Sequence, residues 1–99
     1  MPAIIVQTTY PERHIEAVVE IFKKEQTEFS LPDYMTQEVY VRPSVEGRKS
    51  IAVHEVDDAH TGEVIALVNK LMLAYRDVPD FTYSIDVWTG VDDALKMLE

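Results

Sequence analysis

The chain has 99 residues, 46% of them hydrophobic, and no cysteine. That fits one domain with one modest core and excludes disulfides, thiolate chemistry and cysteine-held metals. A formal net charge of −9 repels phosphate backbones and anionic membrane surfaces, so neither nucleic acid nor membrane is an expected partner.

Pro2 to Thr8 is the first predicted strand. Its consecutive Ile4, Ile5 and Val6 are apolar on both faces, as in a strand covered on both sides. A helix follows. Pro11 suits its first turn, Thr9 and Glu12 have capping-box spacing, and Ile15, Val18, Val19 and Phe22 form one apolar stripe. Leu31-Pro32-Asp33 marks a loop. Residues 37–42 then alternate, with Val39 and Val41 on one face and Glu38, Tyr40 and Arg42 on the other. A turn over 44–47 makes a hairpin with residues 50–56, where Ile51 and Val53 are expected to face the core and Ala52, His54 and Val56 to point away.

Asp57 and Asp58 are candidate caps for a second helix over about 61–76. Ten of its sixteen residues are apolar, too broad a girdle for one sheet alone, so the C-terminal helix or a partner chain is expected on its flank. Residues 81–88 alternate strictly: Phe81, Tyr83, Ile85 and Val87 against Thr82, Ser84, Asp86 and Trp88. Thr89 to Asp92 resembles a capping box, and Val91, Ala94, Leu95 and Leu98 predict a short docked helix. The order is that of an α+β ferredoxin-like βαββαβ sandwich. It has a four-stranded antiparallel sheet and a short C-terminal helix, as a single domain over residues 1–99.

The element order, the two-faced Ala3-Ile4-Ile5-Val6 and the closing run from Phe81 to Trp88 resemble the dimeric α/β-barrel superfamily. The resemblance implies a homodimer formed through the sheet face. It also implies one of several functions found there: cofactor-independent monooxygenase, isomerase, haem protein or small protein without assigned activity. Haem is discounted, because His14, the histidine within the first helix, sits in a polar first turn.

His54, Tyr40, Asp86 and Trp88 share the open face of the sheet if the assigned parities hold. His54 is then the candidate proton carrier and Asp86 its orienter, with Tyr40 and Trp88 the walls for a small planar ligand. The competing reading is a dimer seam in which the same polar tips are satisfied. His54 and His60 are wrongly spaced for a zinc helix, so no metal is expected, and no cofactor. Pro2-Ala3-Ile4 resembles the opening of tautomerases that use an N-terminal proline amine as base. While Met1 precedes it, that nitrogen is an amide. With no basic-then-apolar leader and no apolar run near ~20 residues, the expectation is a cytoplasmic small-molecule-binding dimeric barrel. Monooxygenase- or isomerase-like activity is one option within it. A structural or regulatory homodimer is the alternative, and a Pro2 tautomerase a minor one.

Overall fold

The computed structural model describes residues 2–98. Four strands, β1 (Ala3–Tyr10), β2 (Glu38–Ser44), β3 (Gly47–Glu55) and β4 (Thr82–Trp88), form one sheet in the order β2-β3-β1-β4. All three pairings are antiparallel. Helices α1 (Ile15–Glu28), α2 (Thr61–Leu73) and α3 (Val91–Met97) complete an α+β ferredoxin-like sandwich. No helix among the described residues is long and apolar enough to cross a membrane.

β1 sets the faces. Ile4, Val6, Thr8 and Tyr10 are buried under the helices, while Ile5, Gln7 and Thr9 point to the open side. Directly paired residues of neighbouring strands share a face. Ile4 pairs with His54, Val6 with Ala52 and Thr8 with Ser50, so these β3 side chains also enter the sandwich. Val39 and Val41, and Tyr83, Ile85 and Val87, follow through their own pairings. β3 is therefore inverted from the sequence expectation: Ile51 and Val53 lie on the open face. Both faces of this central strand carry apolar residues, and its tie to β1 decides between them.

The first strand also runs two residues beyond the expected Thr8. Thr9 and Tyr10 pair with Lys49 and Arg48, which takes Thr9 out of any cap. Pro11 precedes a 3-10 turn over Glu12–His14 with no side-chain cap. Glu12 instead ion-pairs with Arg48 at 2.9 Å. Asp57 does cap the next helical segment, accepting from the His60 backbone N–H at 3.0 Å.

α2 buries Val64, Val68 and Met72 against the sheet, with Tyr75 just beyond its end. α3 forms as expected but is not a docked helix, since Val91, Leu95, Met97 and Leu98 are all exposed. Its first residue follows Gly90, with no side-chain cap. The β2–β3 hairpin turns through Gly47 at φ +125°, where a Cβ would lie 2.3 Å from the Tyr10 carbonyl oxygen. Only glycine fits that approach.

Candidate functional site

α1 covers the β2–β3 half of the sheet without closing on it. Of its stripe only Val18 is buried; Val19 and Phe22 remain 39% and 38% exposed, as do Val39 and Val41 beneath them at 39% and 55%. On β3 the residues facing α1 are Ser50, Ala52 and His54, small except at one end. A cleft of about 200 Å³ results. Val6, Ala52 and Val39 lie in its sheet wall, and α1 supplies Val18, Val19 and Phe22. α2 contributes Val68, Leu71 and Met72.

Aromatic rings gather on the Thr8–Ser50 side. Phe81 stacks on Tyr75 at 4.8 Å between centroids and on Tyr10 at 5.8 Å. The hydroxyls of Thr8 and Ser50 hydrogen-bond each other. Glu25 also lines the cleft. Burial pushes its carboxyl above the usual range, opposed by the Tyr75 hydroxyl. Burial and the Glu25 carboxylate in turn push the Tyr75 phenol up.

His54 lies farther along β3, four residues from Ser50 and so about 13 Å away along the strand. It is 3% exposed, and its Nδ1 has no hydrogen-bond partner among the described residues. Burial lowers its pKa, so the ring is neutral at pH 7. An orphaned polar atom in a core is costly and uncommon. The His54 residue is among those lining the cleft.

The four residues expected to converge on the open face do not. His54 is on the helix side. Tyr40, Asp86 and Trp88 are on the open side, opposite Ile51, Ile5 and Ala3 respectively. However, β2 and β4 are the two edges of the sheet, three strand spacings or about 14 Å apart. Tyr40 donates to Glu38 at 2.5 Å, which raises its pKa. Asp86 and His54 sit on opposite faces, so Asp86 cannot orient that imidazole. The other histidine of the segment, His60, bonds Asp57 Oδ1 through Nδ1 at 2.6 Å and stacks on Tyr34 at 3.8 Å. This is a helix-start arrangement. Pro2 immediately precedes the inner strand β1, its carbonyl accepting from the Val56 N–H at 3.3 Å. Met1, on which the tautomerase reading turns, lies outside the described residues.

Sequence reasoning missed the cleft. One signal was available: Ser50, Ala52 and His54 alternate with Lys49, Ile51 and Val53, and small and polar residues facing a helix leave space rather than fill it.

Fold and cleft together define a ferredoxin-like α+β sandwich with a ligand-sized space beneath one helix. No family model matches the chain, and no curated protein does. Among solved structures it is similar to a de novo designed protein, Foldit4, with a TM-score of 0.58 and 11% identity over 90% of this chain and 96% of that one. That likeness carries the fold alone.

Proposed function

We propose that the chain is a homodimeric small-molecule-binding protein that holds its ligand in the cleft beneath α1. The observation carrying this reading is the cleft itself, an apolar space of about 200 Å³ lined by Val6, Val18, Phe22 and Val39, with the buried His54 among its lining residues. Binding sites of this kind combine apolar walls with a few placed polar groups. If the ligand is turned over, by a cofactor-independent oxygenase or isomerase reaction, His54 is the group at hand to act as base.

Support for self-association comes from the open face. Ile5, Ile51 and Val53 make an apolar patch on its two inner strands, with Tyr40 beside it on β2, and with Glu38 and Asp86 flanking it on the edge strands. Glu55 and Glu38 lie toward one end of the strands, and Lys49 and Arg42 toward the other. A two-fold axis running across the strands sets Lys49 of one copy opposite Glu55 of the second, and Ile51 opposite Val53. Self-complementary charge around an apolar centre is what an isologous interface requires.

The test of the cleft is an NMR titration with a library of small apolar molecules. The reading expects amide and methyl shifts concentrated at Val18, Phe22, Ala52 and His54. Shifts confined to the open face, or none at all, would overturn it.

A further inference from the structure

We infer that the open face of the sheet holds a second site, which takes a small organic carboxylate between Arg42 and Lys49. Its occupant competes with the second copy for that face. The site stands without the proposed dimer; the competition rests on it.

The place is a hollow of about 300 Å³ over three neighbouring strands. Residues 7–9 of β1, 49–51 of β3 and 40–42 of β2 line it. Strand alternation decides what each contributes. Thr8, Ser50 and Val41 turn their side chains toward the helices, so their backbone is the floor. The residues beside them project on the open side and form the walls. Gln7 and Thr9 stand on β1, Tyr40 and Arg42 on β2, and Lys49 and Ile51 between them.

The charge of these walls names the ligand. The chain has 18 acidic residues against 9 basic ones, yet no acidic residue lines this hollow. Arg42 and Lys49 are direct partners across β2 and β3, and like charges so placed repel. Among the described residues Arg42 has no ion pair, and Lys49 has the exposed Glu46 of the hairpin turn at 3.3 Å. An anion between the two cations removes the repulsion. The guanidinium fork matches both oxygens of a carboxylate, and the ammonium adds a point charge. The Thr9 hydroxyl and Gln7 amide are further donors. The Tyr40 hydroxyl is already committed to Glu38 at 2.5 Å, so its ring and Ile51 serve as an apolar wall for the organic part. The volume is at the lower limit of ligand pockets, which keeps that part small.

In the proposed dimer Lys49 meets Glu55 of the second copy. A free carboxylate and that side chain cannot both hold Lys49, so each weakens the other's binding.

The test titrates benzoate and its neutral analogue benzamide into ¹⁵N-labelled protein at low ionic strength, with light scattering alongside. Benzoate should shift the amides of Gln7, Thr9, Arg42 and Lys49 and bind about tenfold more tightly than benzamide. Added salt should weaken benzoate and leave benzamide unchanged. Arg42→Gln should remove the preference. Benzoate should also raise the dissociation constant of the dimer. Equal affinity for the two probes overturns the site. Benzoate shifts confined to the cleft beneath α1, or absent in protein diluted to monomer, do the same. Binding in the hollow with the dimer unaffected overturns the competition and leaves the site. A chain monomeric throughout that binds benzoate there removes the dimer and the competition, and again leaves the site. The comparison of probes needs no variant, so a misfolded Arg42→Gln would not protect the proposal.

Discussion

Ile4 and His54 are direct partners across β1 and β3, and both side chains point into the sandwich. The pairing puts a titratable ring where the strand beside it has an isoleucine. Burial depresses its pKa from 6.5, so the folded chain resists a proton that the unfolded chain accepts. Between the two pKa values the unfolded state binds more protons, and stability rises with pH. Stability from this group is therefore fully present above about pH 6.5 and is lost progressively as pH falls toward the folded pKa. Urea titrations across this window should show the slope, and His54→Leu should flatten it. An unchanged slope would mean that other groups govern the acid limb.

Gly47→Ala should destabilise the fold by about 2 kcal/mol. The φ of +125° is one that L side chains rarely adopt, and the added carbon meets the Tyr10 carbonyl at 2.3 Å. Because the obstacle is backbone, no side-chain rotation relieves it. Chemical denaturation measures the loss; a change within a few tenths of a kcal/mol would show that the hairpin shifts freely.

Ala52→Leu places a larger side chain in the wall of the cleft, between Val6 and Val39. We expect roughly 1 kcal/mol of added stability from the filled space, together with loss of the small-molecule NMR shifts at Val18 and Phe22. Retained shifts would show that the molecules bind elsewhere.

Light scattering behind a sizing column should give about twice 11.3 kDa. Lys49→Glu should weaken the dimer, and Lys49→Glu combined with Glu55→Lys should restore it, because the exchange preserves the opposed charges. A monomer at micromolar concentration, or no rescue in the double variant, would count against the sheet-to-sheet arrangement. Association would also make the melting temperature rise with protein concentration.

The strand and helix order was legible in the sequence because each element has its own period: Val39 and Val41 on β2, Tyr83, Ile85 and Val87 on β4, and Val64, Val68 and Met72 on α2. The faces of β2 and β4 followed as well, since each edge strand has only one strongly apolar side. β3 did not. Ile51 and Val53 outweigh Ala52 in apolar bulk, yet the bulkier pair is on the open face. Hydrophobicity alone could not tell a core facing helices from a face suited to a second copy. The residue that does tell is Val56, fully buried just past the strand and sharing its parity with His54. The capping box at Thr9 and Glu12 failed for a different reason: the sheet ladder took Thr9, and long-range pairing won over a local motif.

The incomplete closure of α1 has a consequence for how the molecule breathes. β1 and α2 share the fully buried Ile4 and Val64, whereas α1 meets β2 across the cleft. Amide hydrogens on β1 and α2 should exchange with solvent only through global unfolding. Those of α1 and β2 should exchange through smaller, more frequent openings that leave the rest intact. Such openings give a ligand a route into the cleft without a dedicated lid, and occupancy by a ligand would slow exchange on α1 first.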